Sequence, residues 1–165
     1  YLHILLRYGK ISKYPNFSEE ILYMKIKEAN VEEVFAVKNI PEFTEMASDK
    51  EALEVRYRGV PHCIFVAYEE ELPVGYLIGY EADARTAYCW LAGVDSSYRK
   101  RGALTGLMTA FEEWMRKNGY QVLTVKTRNN LVDMRRFLAK AGFNITKVEV
   151  MPNAKDNRIY LEKEI

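Results

Sequence analysis

Val94-Asp95-Ser96-Ser97-Tyr98-Arg99-Lys100-Arg101-Gly102-Ala103-Leu104-Thr105-Gly106 joins an apolar, strand-like segment to an amphipathic helix through a short basic loop, with glycine where the helix begins. The first turn of a helix leaves its N–H donors without intrahelical partners, and the aligned peptide dipoles place partial positive charge there. A phosphate set at that end is bound by backbone, with Arg99, Lys100 and Arg101 adding field. The helix is legible in its own right. From Leu104 the apolar residues recur at Leu107, Met108, Phe111 and Met115, the spacing of one buried helical face. Asn118-Gly119 then supplies a left-handed stop. Upstream, the run from Thr86 to Val94 suits a pleated surface, and Gly93 marks a bulge near its end.

Working outward, Met24 to Ala29 reads as a first strand, and Asn30 with Glu33 caps a short helix carrying Val31, Val34 and Phe35. Ser48-Asp49-Lys50-Glu51 forms a capping box ahead of a second helix with Leu53 and Tyr57 on one face. Strands follow at about His62 to Tyr68, Val74 to Glu81 and Thr86 to Val94, and their short connections require antiparallel neighbours. The strand at Val122 to Lys126 follows a helix, so it pairs in parallel. A helix bearing Leu131, Met134, Phe137, Leu138 and Ala141 ends at Gly142, and two strands, Ile145 to Val150 and Arg158 to Lys163, close the chain. Residues 1–23 read as an extension, either an expression remnant or an accessory arm, and 24–165 as the domain.

At 165 residues and 48% hydrophobic, the chain supports one domain with a real core. Its 24 Lys and Arg against 23 Asp and Glu leave a net charge of +1, which gives no global attraction to nucleic acid or an anionic membrane. No long apolar run spans a bilayer, and Leu2 to Leu6 is too short for a secretory segment, so a cytoplasmic protein is expected. Cys63 and Cys89 lie in strand-like runs and read as small buried hydrophobes. His62 adjoins Cys63, but neighbouring residues on a strand face opposite ways, which argues against a Cys-His pair. No spacing of His, Cys, Asp or Glu matches a metal site, and no metal is expected.

The element order, the Arg99-x-x-Gly102-x-Leu104 loop and the closing Leu138-Ala139-Lys140-Ala141-Gly142-Phe143 together resemble the GNAT superfamily of acetyl-coenzyme A dependent N-acetyltransferases. The resemblance covers Met24 to Ile165 and implies an α/β (α+β) fold. Its features are a mixed, mostly antiparallel sheet of about seven strands, a splayed parallel pair and about four flanking helices. It implies acetyl-CoA as co-substrate, with the N–H groups of Arg101 through Thr105, and hence Gly102, Ala103 and Leu104, facing the diphosphate alongside Arg99 and Lys100. Leu104 departs from the family's final Gly or Ala and must point into the core. The resemblance further implies that Leu91, Gly93 and Val94 pair with the pantetheine arm, and that the Val94 N–H meets the thioester oxygen. Asn129 and Asn130 are both eligible to meet the arm.

Two family devices are missing. The glutamate that often serves as base on the strand before the loop is replaced by Trp90, which is either a wall of the acceptor pocket or core. The tyrosine of the last helix falls on Phe137 or Leu138, neither of which has a hydroxyl. The amine must still lose a proton before it attacks. Glu42 is the favoured base, because Ile40, Pro41 and Phe43 would desolvate it and raise its pKa. Glu45 and Glu81 border the acceptor side, Tyr88 is an acid or hydrogen-bond partner, and Arg128 is suited to a substrate carboxylate. The reaction expected is acetyl transfer to a primary amine, on a small molecule or a peptide, by direct attack in a ternary complex. The competing reading is a silent coenzyme A binding sensor. Neither nucleic acid nor membrane is an expected partner, and the last two strands offer edges for a homodimer.

Overall fold

The computed structural model describes residues 4–7, 23–43 and 50–165. Its framework is one eight-stranded sheet made of β1 (Ile4–Arg7), β2 (Tyr23–Glu28), β3 (His62–Glu69), β4 (Leu72–Glu81), β5 (Thr86–Val94), β6 (Val122–Arg128), β7 (Asn144–Glu149) and β8 (Arg158–Glu164). The order across it is β1-β2-β3-β4-β5-β6-β8-β7. All neighbours are antiparallel except β5 and β6. Seven strands are those expected. The eighth, β1, comes from the segment read as an extension, and it pairs Ile4 with Ile26 and Arg7 with Tyr23. The expectation of two free C-terminal edges is corrected, because β8 inserts between β6 and β7 and only β7 is outermost.

Four α-helices cover the sheet, α1 (Val31–Ala36), α2 (Lys50–Tyr57), α3 (Ala103–Asn118) and α4 (Val132–Lys140). Asn30 caps α1 in a reciprocal box with Glu33. Ser48, read as the cap of α2, lies outside the described residues. Strand alternation sorts the apolar side chains into two cores, one on each face. On the first, Leu107, Met108, Phe111 and Met115 of α3 meet Phe65, Leu77, Cys89 and Leu123, with Leu138 of α4 joining them. On the second, Val31, Val34, Leu53 and Tyr57 of α1 and α2 meet Ile64, Val66, Ile78 and Leu91. Both cysteines are buried, and burial pushes the Cys89 thiol up to about 12. His62 is exposed and stacks on Tyr57 instead of approaching Cys63.

Two absences hold among the described residues. No helix is long and apolar enough to cross a membrane, and no group of three His, Cys, Asp or Glu is placed to hold a metal ion.

α3 approaches the sheet closely at Gly79. A Cβ built there would lie 2.3 Å from one ring carbon of Phe111, itself fully buried. Gly79→Ala is therefore expected to destabilise the fold by about 1–3 kcal/mol through overpacking. Urea unfolding checks this, and an unchanged midpoint would show that Phe111 has room to turn aside.

Candidate active site

The two parallel strands separate partway along their length. Pairing runs from Thr86 opposite Val122 to Cys89 opposite Val125 and stops there, although β5 continues to Val94 and β6 to Arg128. The register between β4 and β5 slips at the same level. Ile78 pairs with Leu91 and Gly79 with Cys89, so Trp90 is the extra residue of a bulge. Sequence had placed that bulge at Gly93; it sits three residues earlier. A bulge increases local twist and bends its strand, and here it turns the end of β5 away from β6.

Backbone alternation fixes which groups enter the gap. The Asp95 N–H donates to the Val74 carbonyl, which makes Gly75 and Val94 a non-hydrogen-bonded pair. The amide groups of Val94, and of Ala92 two residues back, therefore point toward β6, whereas those of Gly93 and Leu91 point at β4. Leu91 and Gly93 are thus spent within the sheet, a correction to their expected pairing with pantetheine. Ala92, which sequence reasoning overlooked, presents its amide to the gap. The hydrogen-bonding phase that reveals it depends on register, which residue types do not carry.

At the mouth of the gap, Lys100 at φ 62° and Gly102 at φ 85° turn the chain through two left-handed residues, and Gly102 becomes the N-cap of the 16-residue α3. No side chain caps that end, so its N–H groups stay directed at the gap. A left-handed lysine is unusual, and such strain gathers where backbone donors must converge. The result is a cleft of about 490 Å³. Ala92, Gly93 and Val94 form one wall, and Arg99, Lys100 and Gly102 through Thr105 form its end. Asn130 of the β6–α4 turn and Phe137 of α4 close it. Leu104 also packs against the first core, as its departure from the motif requires.

Arg99 ties this wall together. Its Nε donates to the Val94 carbonyl at 3.1 Å, and its two terminal nitrogens grip Glu42 at 3.0 and 2.6 Å. That pairing overturns the expected chemistry of Glu42. Its carboxyl is held below the ordinary carboxylate range, chiefly by the hydrogen bond from Arg99, which outweighs desolvation. A carboxylate so held is a weak base at neutral pH.

The other candidates divide. Arg101 leans out to Glu69 at 3.1 Å and over the Tyr98 ring. Asn129 is tied to the β7–β8 turn, its Nδ2 donating to the Ala154 carbonyl at 3.0 Å, which leaves Asn130 as the asparagine of the cleft. Glu81 accepts from the Tyr120 hydroxyl at 2.7 Å, and Tyr120 belongs to the α3 core, so this carboxylate lies away from the acceptor side where it was expected. Trp90 and Tyr88 sit half-buried on the opposite face around Tyr80, at ring separations of 6.2 and 5.5 Å. Burial and neighbouring groups push the Tyr88 phenol up to about 12. Arg128 is exposed at the end of β6, and Glu45 lies outside the described residues.

The sequence that folds into this split strand pair and loop matches a family model. The model of the acetyltransferase (GNAT) family covers residues 25–143. The chain belongs to this GNAT acetyltransferase family. No curated protein sequence matches it. Among solved structures, Ard1 from Thermoplasma volcanium superimposes with TM-score 0.72 at 21% identity, over 86% of this chain and 97% of that one. The ribosomal-protein-S18-alanine N-acetyltransferase from Escherichia coli gives 0.71 at 13% identity, over 86% and 94%. A GNAT family acetyltransferase from Elizabethkingia anophelis with acetyl-CoA bound gives 0.65 at 18% identity, over 86% and 98%. These likenesses concern the GNAT fold.

Glu42 places a negative charge on the wall of a cleft built to hold an anion. Glu42→Gln is expected to tighten coenzyme A binding about fivefold, the effect of removing ~1 kcal/mol of repulsion across water-like dielectric. Calorimetry measures it, and weaker binding would show that Arg99 needs Glu42 to stay in place. The ion pair itself is complete at neutral pH and is lost only as pH falls through the lowered Glu42 pKa.

Proposed function

We propose that this GNAT acetyltransferase moves the acetyl group of acetyl-CoA onto a primary amine by direct attack within a ternary complex. The observation that carries the reading is the gap between β5 and β6, which ends in the uncapped N-terminus of α3. The diphosphate belongs at the N–H groups from Gly102 to Thr105, with Lys100 and the helix dipole adding field. The arm belongs between the strands, where Val94 and Ala92 offer outward amides in the manner of strand addition, with Asn130 and Phe137 lining the far side. Ala92 stands closer than Val94 to the vertex of the gap at Cys89. Its N–H is therefore the better placed to meet the thioester oxygen as charge grows on it.

The amine nitrogen forms its bond to the acetyl carbon, the carbon–sulfur bond breaks, and the thiolate leaves with the bonding pair. A thiol of pKa about 8.5 departs without an acid, which fits the absence of a hydroxyl at Phe137 and Leu138. The proton lost by the amine passes to water across the open face of the sheet. Glu42 is held as an ion-paired carboxylate and Tyr88 as a neutral phenol, so neither supplies a base poised near neutrality.

Two measurements test this reading. Calorimetry is expected to show acetyl-CoA binding, and thiol release with amines is expected to show turnover. The silent coenzyme A sensor predicts binding without release for any amine. With no enzymic base, log kcat/KM is expected to rise with unit slope until the acceptor amine's own pKa. A plateau several units below that pKa would reveal a base and sink this part of the reading.

A further inference from the structure

Resting on the transferase reading, we infer that the acceptor is an amine carrying a carboxylate, an amino acid in its simplest form, and that a polyamine is refused. On the face of the sheet opposite α3, the second core carries α1 and α2 over β3, β4 and Leu91 of β5. Toward β6 and β8 no core residue lies on this face among the described residues. Its floor beside the vertex of the gap is aromatic, with Tyr80 set edge-on to both Tyr88 and Trp90. Arg56 of α2 overhangs this floor. Its Nε donates to the Tyr80 hydroxyl at 3.1 Å, and its guanidinium lies 5.8 Å from the centre of the Trp90 ring. Its terminal nitrogens make no hydrogen bond or ion pair among the described residues.

The opposite bank is basic as well. Lys126 of β6 and Lys147 of β7 both stand over the Tyr160 ring, at 6.0 and 5.5 Å. Lys126 has no ion pair among the described residues, whereas Lys147 acts on the Glu149 carboxylate and helps hold it ionised. Tyr88 stands opposite Thr124 of β6, and Lys126 two residues on stands opposite Tyr160, so the two banks lie on one face of the sheet. The acidic groups there are Glu149 and Glu162. Glu149 is engaged by Arg158 at 3.2 Å and by the Tyr160 hydroxyl at 2.9 Å, and the exposed Glu162 stands opposite Thr124, the residue that faces Tyr88. Among the described residues, Arg56 and Lys126 without an ion pair therefore outnumber the one carboxylate without an ion pair, Glu162, around the aromatic floor.

An amine reaches an enzyme mostly as its ammonium form, which this face repels. An acceptor gains by entering only if it brings negative charge for the guanidinium fork, and an apolar body suits the Tyr80, Tyr88 and Trp90 floor. A polycationic acceptor meets the reverse of the complementarity it needs. Of the acidic run Glu69 to Glu71, Glu69 is paired with Arg101 beside the cofactor loop.

The test measures thiol release with the standard amino acids, the amides of the same amino acids, and spermidine, at matched concentrations of free amine. At least one amino acid is expected to be acetylated about tenfold more efficiently than its amide, the size of one charge-assisted pair, and spermidine not at all. Arg56→Gln is expected to raise KM for that amino acid about tenfold and to close the gap with the amide, with KM for acetyl-CoA unchanged. Turnover of spermidine, equal use of amide and acid, or no turnover of any amino acid by protein that binds acetyl-CoA would overturn the inference. Failure to bind acetyl-CoA at all would instead overturn the transferase reading on which it rests.

Discussion

The one-residue slip at Trp90 is the constraint from which the rest of the site follows. A parallel pair that ran the full length of β5 and β6 would satisfy its own backbone groups and leave no gap. The bulge ends that pairing at Cys89 and Val125. Beyond it, β5 still bonds to β4 on one side, and on the other its amides at Ala92 and Val94 face outward. Close packing keeps this section against β4. A Cβ at Gly75 would lie only 3.1 Å from the Gly93 carbonyl, so the bent end of β5 is pressed against its remaining neighbour.

The same slip orders the side chains. Before it, Ala87 and Cys89 point into the α3 core, and Tyr88 lies on the other face with Trp90. With the extra residue, Leu91 joins the second core, so two successive side chains, Trp90 and Leu91, lie on the α1 and α2 side before Ala92 and Val94 return to the first. The bulge thus sets an aromatic floor on one face at the level where it opens the gap. Arg99 then couples the end of β5 to the segment after α1, through the Val94 carbonyl on one side and Glu42 on the other.

Most of the fold was legible because its signals are local. The apolar stripe of α3, the Asn30 and Glu33 box, and the short links between β3, β4 and β5 each need only a few neighbouring residues to be read. The turn into α3 was legible for the same reason, since Gly102 announces a left-handed residue before a periodic helix. What escaped reading depends on residues distant in sequence. Glu42 and Arg99 are 57 positions apart, and their pairing reverses the electrostatic argument drawn from the residues flanking Glu42. Glu81 and Tyr120 are 39 apart, and their bond carries Glu81 to the wrong face. The choice of Ala92 over Leu91 and Gly93 depends on the phase of a ladder, a quantity that one inserted residue inverts.

The missing acid and base fit this architecture. An enzyme that holds a thioester against backbone donors draws its rate from position and from the field of fixed dipoles, and neither needs a titrating side chain. Thiolate departure is easy, and an amine exposed on an open face can give its proton to water. Such a site accommodates Trp90, whose ring shapes the floor beside the gap. The cost falls on the substrate, which must arrive with a free amine pair despite the basic surroundings. Those surroundings disfavour an added ammonium and so lower the pKa of an amine held among them. Arg56, Lys126 and Lys147 would then assist chemistry by the same field that selects the acceptor, a division of labour in which cations on the rim do part of the work of the absent carboxylate.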